Sequence, residues 1–63
     1  MYAFVYWLTE GRGNIIPIHD LKLNQELEEK AQLRGYERLV GEILQARFGD
    51  SYFEAKVLMV GSK

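Results

Sequence analysis

The segment YAFVYWLT at residues 2–9 constrains the fold more than any other part of the chain, because almost every side chain in it is apolar or aromatic. Its β-branched and aromatic composition predicts a strand. Successive side chains of a strand point to opposite faces, so this strand is apolar on both. We therefore expect it at the centre of a sheet, with helices on one face and a partner on the other.

A hairpin is predicted after this strand. Gly11 and Arg12 fit the two central positions of a type II′ turn, which favours Gly first, and the segment NIIPIH supplies the second strand. Pro17 has no backbone N–H, so the second strand is expected at a sheet edge. With a two-residue turn, Trp7 lies opposite Ile16 and both side chains point towards the helices. A three-residue turn would swap the faces of the first two strands and leave Trp7 on the uncovered side, which would still be apolar.

The segment 20–48 is helical in composition, but its apolar residues form two stripes that point in different directions. One stripe consists of Leu23, Leu27 and Ala31, and the other of Tyr36, Leu39, Val40, Ile43, Leu44 and Phe48. Asn24 is a predicted N-cap, and Gly35 lies where the two stripes change direction. We predict helices at about 24–34 and 36–48, with a single bent helix as the alternative.

The segment YFEAKVLMV at residues 52–60 predicts the last strand. A right-handed helical crossover would make it parallel to the second strand, with the first strand between them and antiparallel to both. The predicted fold is therefore a single compact α+β domain over 1–63, of ββααβ order, or ββαβ with one bent helix. Its sheet is three-stranded, of order 2-1-3, with the helices packed on one face. Strict alternation places Met59 on the helix side and Val60 on the other.

Length and composition narrow the classes of function. A chain of 63 residues with no Cys and one His has no disulfide and no ordinary zinc site, so we expect neither a metal nor a cofactor. Tight packing or self-association is the remaining source of stability. The apolar start has no basic region before it, which predicts neither a signal peptide nor a membrane span. With no Cys in the chain, a cytoplasmic location is expected.

No catalytic residues are predicted. His19 and Asp20 are neighbours in the expected second strand, so their side chains should point to opposite faces. The segment Gly11-Arg12-Gly13 precedes a strand, whereas a phosphate-binding loop precedes a helix. The sequence therefore predicts a protein that is not an enzyme.

The face turned away from the helices is the predicted binding site, because its side chains are apolar or aromatic. It comprises Tyr2, Phe4, Tyr6, Leu8, Ile15, Pro17, Leu58 and Val60. Its area is on the order of 300 Å², in the range of functional patches on monomers. The hypothesis is a protein-interaction module, either a homodimer or an inhibitor or adaptor of a larger protein. It acts through this face or a free strand edge, with Arg12 contacting an acidic partner from the turn.

Two alternatives remain open at this point. In the first, the first helix covers the apolar face with Leu21, Leu23 and Leu27. In the second, nucleic-acid bases stack on the face, as they do on other aromatic sheet platforms. The side chains available for stacking and for phosphate contacts are Tyr2, Phe4, Tyr6, Arg12, Lys22, Lys56 and Lys63. A net charge of −1, and Glu54 on the face itself, disfavour the nucleic-acid partner.

Overall fold

A computed structural model describes residues 1–62 and contains five strands and one α-helix. The elements are β1 (Tyr2–Trp7), β2 (Arg12–Pro17), a 3-10 turn (Ile18–Asp20), β3 (Leu21–Lys22), α1 (Gln25–Arg34), a 3-10 turn (Tyr36–Leu39), β4 (Ile43–Phe48) and β5 (Ser51–Gly61). All strands join one antiparallel sheet of order β2-β1-β5-β4-β3. The prediction of a three-stranded 2-1-3 sheet with a parallel crossover and two helices is wrong.

The second predicted helix is the main error, because its last half forms β4. Leu44 and Ala46 are buried while Ile43, Gln45 and Arg47 are exposed, which is the two-residue period of a strand. The first half of the predicted helix is only a 3-10 turn over Tyr36–Leu39. The apolar residues of this segment therefore satisfy both periods, and the strand prevails because β4 pairs on both sides, with β5 and with β3.

A tight hairpin joins β4 to β5. Phe48 pairs with Ser51, which leaves Gly49 and Asp50 as the connection. Gly49 has a φ of +67°, and no non-glycine residue among residues 1–62 has a positive φ. A two-residue connection with positive φ only at a leading Gly is the pattern of a type II′ turn. The turn type predicted for Gly11-Arg12 therefore occurs here instead.

The β1–β2 hairpin has a longer connection than the two-residue turn expected. Trp7 pairs with Arg12, and the N–H of Gly11 donates to the carbonyl of Trp7 at 2.8 Å. Ile16 consequently lies opposite Ala3 rather than opposite Trp7, a shift of four residues (7 − 3). An even shift leaves every side chain on its predicted face, so the buried positions of Trp7 and Ile16 are those expected.

The sheet is strongly curled. β2 and β3 form its two edges, yet only the 3-10 turn Ile18–Asp20 connects them. In a flat sheet these edges would lie about 19 Å apart, whereas the chain from Pro17 to Leu21 can span at most about 14 Å. Curling brings the edges together at this end and gives the sheet a concave and a convex face.

The core lies on the concave face. It consists of Ala3, Val5, Trp7, Ile16, Leu21, Ala31, Leu39, Leu44, Ala46, Ala55 and Val57. Leu39, Val5 and Val57 are its largest fully buried side chains. The 3-10 turn that carries Leu39 packs between α1 and β5.

α1 confirms the first predicted helix. The N–H of Leu27 donates to Oδ1 of Asn24 at 2.8 Å, and the helix ends at Gly35, whose φ is +89°. An Asn side chain at the N-cap satisfies a free N–H of the first turn, and Gly adopts a positive φ without strain. Among residues 1–62, no helix has the length and apolar character required to cross a bilayer.

A β-bulge in β5 changes which of its side chains face outward. Phe4 pairs with Met59 but Val5 pairs with Val57, so Leu58 is an extra residue between two pairs. An extra residue reverses the alternation beyond it. Met59 therefore lies on the convex face and Val60 packs against the core, the reverse of the prediction from strict alternation.

Candidate functional site

The convex face of β2, β1 and β5 carries a continuous apolar patch. In the pairing register Tyr2 is opposite Pro17, and Phe4 lies between Ile15 and Met59. We call this set the convex patch: Tyr2, Phe4, Tyr6, Ile15, Pro17 and Met59. Ile15 is 71% exposed, and Tyr2, Phe4 and Tyr6 of β1 are each at least 36% exposed. The sheet therefore presents aromatic and aliphatic side chains together to solvent.

Within residues 1–62, no helix covers this patch. Leu21 is buried in the core, and Leu23 and Leu27 pack against the same core from the concave side. α1 makes its main contacts with the second 3-10 turn, which lies against the concave face of β5. The alternative in which the first helix covers the apolar face is therefore wrong.

Four of the residues predicted for binding lie outside the convex patch. Val60 packs against the core, and Leu58 is the extra residue of the bulge. Leu8 is in the β1–β2 connection, where it is 40% exposed. Arg12 pairs with Trp7 and so lies on the concave side, where its Nε donates to Oε1 of Glu10 at 3.2 Å. Met59 was missed as a patch residue because the bulge that turns it outward has no local signal in the sequence.

The ring of Phe4 occupies the space above Gly13. A Cβ atom added to Gly13 would lie 2.9 Å from Cζ of Phe4 and 3.1 Å from the carbonyl oxygen of Val5. Gly13 is on the outer side of β2, diagonal to Phe4, so the ring packs directly on the backbone of the edge strand. The absence of a side chain at Gly13 thus sets the position of an aromatic ring in the convex patch.

We expect Gly13→Ala to lower the free energy of unfolding by about 1 to 2 kcal/mol, because the added methyl group displaces Phe4 and overpacks the strand. Intrinsic propensity alone would give the opposite sign, since Ala loses less backbone entropy than Gly on folding. Gly61→Ala is the matched control in β5, where an added Cβ meets no atom within 4 Å. Urea unfolding of both variants tests this, and equal stabilities would contradict the packing of Phe4 on Gly13.

The convex face becomes polar over β3, β4 and the first half of β5. Its outward residues there are Lys22, Ile43, Gln45, Arg47, Tyr52, Glu54 and Lys56. The ammonium of Lys22 lies 5.3 Å from the centre of the Tyr52 ring, within the range of a cation–π contact. Arg47 Nη2 lies 3.6 Å from Asp20 Oδ1. Three cations and one aromatic ring, Tyr52, therefore lie beside the apolar patch, together with the carboxylate of Glu54.

β2 has a free edge beside the patch. The N–H of Ile18 donates to the carbonyl of Met1 at 3.0 Å, which sets the hydrogen-bonding phase between β2 and β1. In this phase Gly13, Ile15 and Pro17 direct their backbone groups away from β1. The missing N–H of Pro17 therefore falls on the free edge, as expected for a Pro in an edge strand. Gly13 and Ile15 supply the N–H groups of this edge.

His19 and Asp20 lie close together at one end of the sheet. His19 and Asp20 lie in a 3-10 turn, not in a strand, and His19 Nε2 is 3.7 Å from Asp20 Oδ1. The expectation that their side chains point apart is wrong, because consecutive residues of a tight turn do not alternate across a sheet. His19 is well exposed, and within residues 1–62 no three His, Asp or Glu side chains form a group that could hold a metal ion.

The comparisons with known proteins provide no relative. No protein-family model matches the sequence, and no curated protein or solved structure is significantly similar to it.

Proposed function

We propose that this chain is a small protein-interaction module without enzymatic activity, and that its convex patch binds the same patch of a second copy. One observation carries the proposal: aromatic and aliphatic side chains form a continuous surface that no helix covers in the described part of the chain. Apolar surfaces of this kind mark interaction sites, and Tyr is enriched among the residues that dominate binding energy.

Charge complementarity favours a second copy as the partner. On β5, Lys56 lies opposite Tyr6 at the border of the patch, and Glu54 lies two residues further on the same face. A two-fold axis through the patch can place Lys56 of each copy near Glu54 of the other, because a symmetric interface uses one surface twice. The net charge of −1 causes little repulsion between copies.

Size supports the same partner and limits its affinity. A domain of 63 residues without disulfides gains stability when association buries its exposed apolar surface. The apolar patch is on the order of 300 Å², smaller than the roughly 800 Å² per partner of a standard interface. We therefore expect reversible association with a dissociation constant on the order of 100 μM. With no Cys to oxidise, the proposed location is the cytoplasm.

Sedimentation equilibrium from about 10 μM to about 1 mM tests the proposal, because association is governed by mass action. The weight-average mass should rise from the monomer value of 7.3 kDa towards twice that value. A monomer mass at every concentration would exclude the second copy. The patch would then be the binding surface of an inhibitor or adaptor for a larger protein.

The polar half of the convex face favours a second candidate, a single-stranded nucleic acid. Tyr6 is opposite Lys56, and Tyr52 is opposite Arg47 and beside Lys22. Bases stack on aromatic rings while cations contact phosphates, so binding would weaken steeply with salt. Of the other cations suggested by the sequence, Arg12 lies on the concave side and Lys63 lies outside the described residues.

Fluorescence anisotropy with a labelled single-stranded oligonucleotide separates the two candidates. Micromolar affinity at low salt that falls steeply with added salt would support the nucleic-acid candidate. Association of copies without such binding would support the protein-interaction module.

A further inference from the structure

A recess lies on the concave side of the sheet, separate from the convex patch. Its volume is about 180 Å³, and its lining consists of Trp7, Thr9, Glu10, Arg12, Asn14, Phe48, Phe53 and Glu54. Phe48 and Phe53 are 56% and 44% exposed although they share the concave face with the core. The helix therefore leaves this end of the core open, and we call the recess the aromatic cleft.

The walls of the aromatic cleft are held in place by packing. Trp7 is a core residue, and its ring centre lies 5.7 Å from that of Phe48 with 58° between the ring planes. Phe53 is opposite Ala46, one position diagonal to Phe48 in the neighbouring strand. Three aromatic side chains from three adjacent strands thus line one small recess before any ligand is present.

The charges of the cleft lining balance one another. Glu10 supplies one carboxylate and Arg12 one guanidinium, and the two form an ion pair at 3.2 Å. Glu54 borders the cleft through its place in β5, but its side chain is on the convex face, opposite Gln45. Because Glu10 neutralises Arg12, the electron-rich ring faces decide the sign of a ligand.

We propose that the aromatic cleft binds a methylated ammonium group. Ring faces of Trp and Phe attract cations, and a quaternary ammonium costs less to remove from water than a compact ammonium ion. The volume is suitable, because an apolar cavity of about 150 Å³ accommodates a molecule the size of benzene. This site is independent of the proposed self-association, since it lies on the opposite face of the sheet.

Three ligands of nearly the same shape test the proposal: tetramethylammonium, neopentyl alcohol and pivalate, which are cationic, neutral and anionic. The chain has a single Trp, so the fluorescence of Trp7 reports on the cleft directly. Tetramethylammonium should give a saturable change with a dissociation constant on the order of 1 mM. The alcohol and pivalate should bind at least about tenfold more weakly. Equal binding of the alcohol, or tighter binding of pivalate, would overturn the proposal.

Substitutions locate the binding site. Phe48→Leu retains an apolar side chain but removes a ring face, and should weaken tetramethylammonium binding by about 3- to 10-fold. Tyr52→Leu, on the convex face, is the matched control and should leave the affinity unchanged. Glu10→Gln removes a carboxylate and releases Arg12, so it should also weaken tetramethylammonium binding. This variant tests the site if Phe48→Leu does not fold. Unchanged affinity in both folded cleft variants would overturn the proposal.

A short neutral peptide that contains trimethyllysine carries the same methylated ammonium group. Comparing its dissociation constant with that of tetramethylammonium distinguishes a protein side chain from a free small cation as the natural ligand. A lower dissociation constant for the peptide than for tetramethylammonium would assign the group to a protein side chain. A higher constant would assign it to a free small cation. Sedimentation of Phe48→Leu should match that of the wild type, so failure of the cleft proposal is distinguishable from failure of the self-association proposal.

Discussion

Leu39→Ala should lower the free energy of unfolding by about 2 to 5 kcal/mol, because it removes buried methyl groups and leaves a cavity. Leu39 is fully buried, and the 3-10 turn that carries it packs between α1 and β5. A single core of this size supplies roughly 3 to 5 kcal/mol in total. The variant should therefore be largely unfolded at 25 °C.

Leu33→Ala is the matched control for this substitution. Leu33 is 84% exposed on α1, so the same chemical change should alter the free energy of unfolding by less than about 0.5 kcal/mol. Far-UV circular dichroism during urea unfolding measures both variants. A similar loss of unfolding free energy in both variants, or a stable Leu39→Ala, would show that the core does not depend on the packing of Leu39.

The elements that sequence predicts well are those with local signals. β1 is identified by its apolar run, and α1 by Asn24 at its start and Gly35 at its end. Pro17 indicates an edge strand because it cannot donate a hydrogen bond, and β2 is an edge strand. Each of these signals depends on a few neighbouring residues, so no knowledge of distant pairing is required.

β4 could not be predicted from apolar period alone, because its segment is compatible with a helix and with a strand. Two glycines carried the missing signal. Gly41, two residues after the 3-10 turn, has a φ of +93°, and its N–H donates to the carbonyl of Val57 at 2.7 Å. Gly49 with Asp50 is a typical hairpin dipeptide between two strands. Pairing with a strand distant in sequence decided the outcome, and a propensity estimate omits that pairing.

The convex patch was largely predictable because alternation along β1 places Tyr2, Phe4 and Tyr6 on one face in any register. The four-residue shift in the β1–β2 hairpin is even, so Ile15 also kept its face. Met59 was not predictable, since the bulge at Leu58 arises from how β5 pairs with β1.

The second large effect is expected at Ile15 in the convex patch. Ile15→Glu places a charge on the most exposed aliphatic side chain of the patch, and burying an unpaired carboxylate between two copies is costly. We expect the dimer dissociation constant to rise at least about tenfold, which corresponds to about 1.4 kcal/mol. Because Ile15 is 71% exposed in the monomer, the variant should remain folded.

Sedimentation equilibrium of Ile15→Glu beside Leu33→Glu tests the central claim most directly. Both substitutions replace an exposed aliphatic residue by Glu, but only Ile15 lies on the convex patch. We expect Ile15→Glu to be monomeric at concentrations where the wild type and Leu33→Glu form dimers. Dimers of Ile15→Glu that are as stable as those of the wild type would contradict self-association through the convex patch.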